Sequence, residues 1–542
     1  MAKRRSPGKR AAPRRPGASR KGAAPPPLPS DVTEPPRRKL SERDRLRLDM
    51  MRSIVTEPLL SKVQKNPEQS FDVIVELNEF FEGGLEAARQ RAKKWKVPFT
   101  VTSSYCFSRI SGKRVLELAE EARRWNAEGK GKSPLYRIWE DSVVSTTLTK
   151  SLTTVKADAA QRAFHALGKD IVWAVLDSGV HGSHPHFKGA TQAFGTLATL
   201  DLDAPLEHLD FTPDGLDTKG EPTSTRALVD RFGHGSHVAG IIAGGWESKK
   251  PGGELVVGTE TRHEATNEPV PALRALTRIS GVAPQCKIVS LKVIADVDLP
   301  NASTQTAGQG KVSWLLRAID RIQTWNQHGK RLLVHGVNLS LGYGFDARWF
   351  GCGQSPLCVE VNRLVKSGVS VVVSAGNDGY PSFLTEDNRA ESRYHASSIT
   401  DPGNADLAIT VGSTHRDSPH LYGVSYFSSR GPTGDGRCKP DLLAPGERIW
   451  SCAAGEEAQK YVGAAGAKKG QSPVLYLEQT GTSMAAPHVS GAIAAFLSVR
   501  REFIGQPERV KELVLQSAVD LKRERYVQGA GLLDLMRMLQ LV

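Results

Sequence analysis

The sequence predicts an α/β fold: a mostly parallel sheet flanked by helices, preceded by a small α+β unit of ferredoxin-like order and a disordered basic tail. Three observations predict it. Short continuous apolar runs, such as Ile171-Val172-Trp173-Ala174-Val175-Leu176, recur from residue 148 onward, as expected of strands buried on both faces. Helical stretches alternate with these runs, which implies parallel strands joined by crossover helices. Residues 70–147 instead pack strand and helix patterns into the order β-α-β-β-α-β.

The elements follow from the N-terminus. Residues 1–49 carry 15 Lys/Arg against 5 Asp/Glu, so they supply ten of the chain's net +14. They are rich in Arg, Pro, Ala and Gly and almost devoid of large apolar residues. Such a segment cannot bury enough surface to offset its ordering entropy, so disorder is expected. Residues 50–69 read as a short helix and linker. Phe71 to Leu77 alternates like a half-buried strand, 85–95 reads as an amphipathic helix, and 99–110 as one or two strands. A second helix over 112–125 and a strand over 136–140 complete the small unit.

Beyond residue 148, buried strands are expected at 171–176, 287–293, 337–341, 369–374 and 407–411, with helices at 234–243, 311–328 and 350–367. A parallel sheet of this kind places its functional groups at strand C-terminal ends and helix N-termini. Residues 190–229 and 247–275 are polar and Gly/Pro-rich and read as surface loops.

At 542 residues, 39% hydrophobic and 24% charged, the chain has the composition of a soluble globular protein of about two domains. No apolar stretch follows the basic N-terminus and no run is long enough to span a membrane, so a cytoplasmic location is expected. The six cysteines have no metal-site spacing. Cys352 and Cys358 flank a five-residue loop and could bridge in an oxidising compartment; without a signal sequence, free thiols are expected.

Four short segments carry chemistry. Asp177 closes the strand in Ala-Val-Leu-Asp-Ser-Gly-Val, where a carboxylate can be held rigidly. In Gly-His-Gly-Ser-His-Val-Ala-Gly, His234 and His237 lie three apart at a helix start. A zinc pair is one reading, but no partner stands at supporting spacing, so His234 is read as a general base and His237 as structural. Asn377 follows a strand in Ser-Ala-Gly-Asn-Asp-Gly, where its amide can donate to a developing oxyanion. Ser483, in Gly-Thr-Ser-Met-Ala-Ala-Pro-His-Val, stands where a tight turn becomes a helix, with first-turn N–H groups aimed at any anion beside it. Each alone has an ordinary structural explanation. Their order and their placement at strand ends and helix starts do not.

With these motifs the chain resembles the subtilisin-like serine proteases, or subtilases, over roughly 145–538. Weaker matches are Gly-Val-Ala-Pro at 281–284, Asn-Leu-Ser-Leu-Gly at 338–342, and the segments at 427–432 and 439–446. The chain order Asp, His, Ser separates this family from chymotrypsin-like enzymes and α/β-hydrolases. Ser236 stands where the family usually has Thr.

The resemblance implies a serine endopeptidase acting on protein or peptide substrates. Ser483 is then the nucleophile, His234 the base, Asp177 its orienting partner, and Asn377 with the Ser483 N–H the oxyanion hole. Ser340, Leu341 and Gly342 would pair with an extended substrate, and Ser374, Ala375 and Gly376 would complete the substrate site. No cofactor or catalytic metal is required, and the long inserts leave structural calcium unassigned. Residues 70–147 resemble the propeptide-inhibitor domain that precedes many subtilase domains. The chain's own pro-domain is thus a partner, residues 148–542 are the peptidase domain, and autoprocessing is expected near 145–150.

Two other readings are weighed. An inactive binding scaffold is disfavoured because all four catalytic positions are filled. Nucleic-acid contact through residues 1–49 is at most an accessory role, since no nucleic-acid-reading motif appears elsewhere. Asp378 beside Asn377 is a weak indication of basic side chains near the cleft.

Overall fold

Period-two and period-3.6 apolar patterns set the elements, and the chain divides between residues 144 and 145 into two units. The structure, a computed structural model, describes residues 51–542 except 96, 98, 99, 102, 103, 129, 130, 141–149, 249–254, 263–268, 299–305, 349, 385–389, 460 and 462–473. The basic tail and most of the expected processing segment lie outside the described residues.

The first unit begins with α1 (Glu57–Lys65) and β1 (Ser70–Leu77), continues through α2 (Gly84–Ala92), β2 (Thr100–Val101), β3 (Tyr105–Ser111) and α3 (Gly112–Ala127), and ends with β4 (Leu135–Glu140). Its sheet is antiparallel in the order β2-β3-β1-β4. In β1, Phe71, Val73, Val75 and Leu77 point inward against Val115, Leu118, Ala119 and Ala122 of α3. Ser111 caps α3 by accepting the Arg114 N–H at 3.3 Å. The opposite sheet face is also apolar in part: Ile74 pairs with Phe107 on one side and Trp139 on the other.

The second unit is built on seven strands: β5 (Val172–Asp177), β6 (Leu209–Asp210), β7 (Lys287–Lys292), β8 (Gly336–Leu339), β9 (Ser370–Ser374), β10 (Ile409–His415) and β11 (Leu442–Glu447). They lie in the order β11-β10-β9-β8-β5-β7-β6, and every pairing is parallel. From β5 the chain goes to one side of the sheet and then returns to build β8 on the other. The crevice at the C-terminal ends of β5 and β8 is therefore the switch point where such sheets place their sites.

Both sheet faces are covered, which explains the continuous apolar runs. Trp173 and Val175 of β5 join one core with α4 (His234–Ile242) and α7 (Thr482–Val499). Ala174 and Leu176 join the other with α5 (Val312–Trp325) and α6 (Pro356–Lys366). The helix α7 is long and apolar enough by composition to cross a membrane, but 83% of that window is buried in the protein core.

Two expectations are corrected. Within the 247–275 insert, Leu255–Arg262 runs antiparallel to Pro269–Leu276, and its Val257 and Gly258 pair with strand Tyr476–Gln479. Leu255, Val257 and Leu276 are buried, so short apolar alternation outweighed the polar composition. The 190–229 insert likewise supplies the edge strand β6, with Leu209 and Phe211 in the core. The strands β6 and β11 carry too short or too Pro/Gly-rich a pattern to read as strands in isolation. All six cysteines are free thiols.

Candidate active site

Asp177 ends β5 and His234 begins α4, and the fold brings their side chains together. The His234 Nδ1–H donates to Asp177 Oδ1 at 2.8 Å. The Asp177 side chain is 1% exposed and the imidazole 20%, so the pair sits at the floor of the crevice with one ring edge open. The Ser178 N–H also donates to Asp177 Oδ1, at 2.8 Å, fixing the carboxylate plane. Burial opposes charging of the imidazole, but Asp177 beside it and Asp230 nearby outweigh that effect, and the His234 pKa stands above the ordinary histidine value.

Close approach of the two elements depends on glycine. A Cβ at residue 235 would stand 2.2 Å from the Gly179 carbonyl oxygen and 3.1 Å from Asp177 Cβ. Gly233, at φ +92°, makes the turn into the helix.

A second carboxylate, which the sequence did not single out, braces this arrangement. Buried Asp230 accepts Ser178 Oγ (2.9 Å) and the Gly233 N–H (2.7 Å) on one oxygen. Its other oxygen takes the Ser236 N–H (2.8 Å) and Ser236 Oγ (2.6 Å). Ser178 Oγ in turn accepts the Gly235 N–H at 2.9 Å. The end of β5 and the start of α4 are thus tied through one carboxylate. Ser236, where the family usually has Thr, also accepts the His181 N–H on its hydroxyl at 2.8 Å. His237 points the other way, with Nε2 on the Ile449 and Leu477 carbonyls at 3.1 and 3.2 Å. Burial pushes its pKa down to about 3, so it is a neutral structural group.

Ser483 is the second residue of α7, half-buried at its first turn. Its N–H has no preceding helical carbonyl to receive it and makes no hydrogen bond among the described residues. Its hydroxyl donates to the Ser340 carbonyl at 3.1 Å, and among the described residues it makes no hydrogen bond to His234. Loose nucleophile–base geometry is common in substrate-free sites. The turn has an internal logic. Pro487 lies four residues on and lacks an N–H, so the Ser483 carbonyl has no helical donor. Ser340 Oγ supplies one at 2.8 Å. Ser340 is held in turn by Asn338 Nδ2 (2.8 Å), and Asn338 Oδ1 by Ser490 Oγ (2.8 Å). The Asn-Leu-Ser-Leu-Gly and Gly-Thr-Ser-Met-Ala-Ala-Pro segments are therefore two halves of one support.

Asn377 lies just past β9 and is exposed. Its Oδ1 accepts both the Thr482 N–H (2.9 Å) and Thr482 Oγ1–H (3.0 Å). Two donors on that oxygen set the amide orientation and leave Nδ2 as a donor with no protein partner among the described residues. Nδ2 lies 3.6 Å from the Cβ position of Gly481, beside the Ser483 turn.

The expected substrate residues fall into two groups. Beyond β8, Ser340 is buried and committed to Ser483, whereas Leu341 and Gly342 carry no backbone–backbone hydrogen bond among the described residues. In the other group, Ser374 is buried at the end of β9. The Ala375 N–H and C=O are taken by Val411 and Thr400. Gly376 donates to Thr482 Oγ1 at 3.2 Å and accepts the Ser429 N–H at 2.9 Å. At φ +104°, and with a Cβ position 2.8 Å from Thr400 Cγ2, residue 376 admits only glycine without displacement.

This parallel α/β sheet, with its aspartate–histidine pair and a serine at a helix start, belongs to a known class. The model of the subtilase family, Peptidase_S8, matches residues 168–532, and the chain belongs to that family. It is a subtilisin-type serine endopeptidase. It is similar to serine protease AprX of Bacillus subtilis, with 26% identity over 388 residues covering 69% of each chain. It is also similar to the major intracellular serine protease of Bacillus subtilis, with 28% identity over 335 residues, 62% of this chain and 70% of that one. Pyrolysin of Pyrococcus furiosus is 28% identical over 339 residues, 56% of this chain but only 21% of that longer protein.

Proposed function

We propose that this endopeptidase works through Ser483 as nucleophile, His234 as base and Asp177 as orienting anion, and that it is made as a zymogen. The observation that carries the first part is the Asp177–His234 hydrogen bond, which commits the Nδ1 proton to the carboxylate and leaves Nε2 as the base. On substrate binding the Ser483 hydroxyl turns from the Ser340 carbonyl to Nε2. Its oxygen attacks the scissile carbonyl while its proton passes to His234. The imidazolium, stabilised by Asp177, returns that proton to the leaving amine. Water then repeats the sequence to release the acyl group.

The tetrahedral oxyanion is received by Asn377 Nδ2 and the Ser483 N–H. Asn377→Ala is expected to lower kcat by about 10²–10³ with little change in KM, as recorded for the equivalent change in subtilisin, a relative. Steady-state kinetics on a fluorogenic peptide measure it, and an effect on KM alone would remove Asn377 from the oxyanion hole. The free backbone of Leu341 and Gly342 offers the edge for an extended substrate, while Ser374, Ala375 and Gly376, already bonded internally, act as wall.

The zymogen reading rests on the first unit. Its β-α-β-β-α-β order resembles a propeptide-inhibitor domain, and it ends just before the residues where cleavage is proposed, 145–150. Ser483 would then cut its own chain first. Intact mass spectrometry of wild type beside Ser483→Ala tests this. Wild type should lose the N-terminal segment while the variant keeps it, and equal intact masses would overturn autoprocessing.

A further inference from the structure

Three tyrosines from separate segments meet on the surface, one of them three residues past Asn377. Tyr380 and Tyr394 have ring centroids 4.9 Å apart, and Tyr380 meets Tyr426 edge-on at 6.1 Å. They remain 38%, 62% and 61% exposed. Scattered exposed rings need no explanation, but three converging ones form a patch, and patches mark binding sites.

The patch is continuous with the catalytic machinery through backbone hydrogen bonds. The Gly379 N–H donates to the Phe427 carbonyl at 2.9 Å, next to Tyr426, and the His395 N–H donates to the Gly379 carbonyl at 3.0 Å, next to Tyr394. The Asp378 N–H donates to Ser429 Oγ at 3.0 Å. The stretch that carries Asn377 therefore also carries Tyr380 and is tied to the segments that carry the other two rings.

The chemistry of the patch is selective. Arg430 lies 4.4 Å over the Tyr394 ring and donates to the Tyr426 carbonyl at 3.3 Å. One aromatic face already holds a cation, so a second cation meets like charge. An aromatic guest meets ring edges and faces held by few rotatable bonds, at low entropic cost.

We propose that Tyr380, Tyr394 and Tyr426 form a substrate subsite that takes an aromatic side chain of the polypeptide near the scissile bond. This rests on the catalytic reading of Asn377 and Ser483 given above. The test uses the full chain and internally quenched peptides that differ only in carrying Phe, Ala or Lys at one position, scanned four residues to each side of the cleaved bond. Wild type should prefer Phe at one or two positions. Tyr380→Ala and Tyr426→Ala should lower kcat/KM for the preferred Phe peptide about tenfold, chiefly through KM. The Ala peptide should stay within about twofold, and Tyr426→Phe should keep most of the preference. An equal fall on Phe and Ala peptides, no fall on either, or a loss confined to Lys peptides overturns the subsite alone. Failure of wild type to cleave any peptide overturns the catalytic reading with it.

Discussion

Replacing Ser483 with alanine is expected to lower kcat by about 10⁶, the magnitude known from removal of the same group in subtilisin, a relative. The residual rate is expected from the proposed oxyanion donors, Asn377 Nδ2 and the helix N–H, which the substitution leaves in place. The fold should be unaffected. Ser483 is half-buried, and its hydroxyl has one partner among the described residues, the Ser340 carbonyl at 3.1 Å. The more consequential bond, from Ser340 Oγ to the Ser483 carbonyl, uses backbone that alanine retains. Peptide hydrolysis and circular dichroism on the same preparation check both halves. Wild-type turnover in the variant would remove Ser483 from the mechanism.

Asp177→Asn is expected to lower kcat by about 10⁴, the size of effect found when a triad aspartate elsewhere is so replaced. Two losses combine. The amide cannot stabilise the imidazolium by charge. It also meets a geometric conflict, because Asp177 Oδ1 accepts both His234 and the Ser178 N–H while buried Oδ2 has no partner among the described residues. An amide that keeps both acceptor roles places its NH₂ where nothing accepts it. Turned around, it offers a donor to His234 and selects the tautomer that cannot act as base. The pH profile adds a signed test. With His234 as the proposed base, activity should need its neutral form and rise with pH through the His234 pKa. Asp177 holds that pKa above the ordinary histidine value, so the acid limb of kcat/KM should move to lower pH in the variant. An unmoved limb would mean that another group sets it.

The four residues proposed for catalysis were legible because each lies in a short segment whose small residues and placement are unusual together. Their supports were not. Asp230 is one aspartate just past a polar insert, and nothing local distinguishes it from a solvated turn. Its role appears only when Ser178, Gly233 and Ser236 are seen to share its two oxygens. Pro487 could have given a signal, since a proline inside a helix must leave a carbonyl unpaired, but its partner Ser340 lies 143 residues from Ser483. The 247–275 insert misled because its polar residues, glycines and prolines masked two short apolar alternations, which pair with each other as a hairpin and, at Val257 and Gly258, with the distant strand Tyr476–Gln479.

By itself the sequence determined the parallel sheet, its helical cover and the chemical groups at strand ends and helix starts. These depend on patterns with a period of two to four residues, which local sterics and burial enforce. Only the tertiary structure decided which donors and acceptors are already used. Thr482 orients the Asn377 amide across 105 residues, the Ser483 hydroxyl rests on Ser340, and Tyr394 and Tyr426 converge on Tyr380, three residues past Asn377. Hydrogen bonds and ring contacts act over a few ångströms, so partners far apart in sequence become visible only once the chain has brought them together.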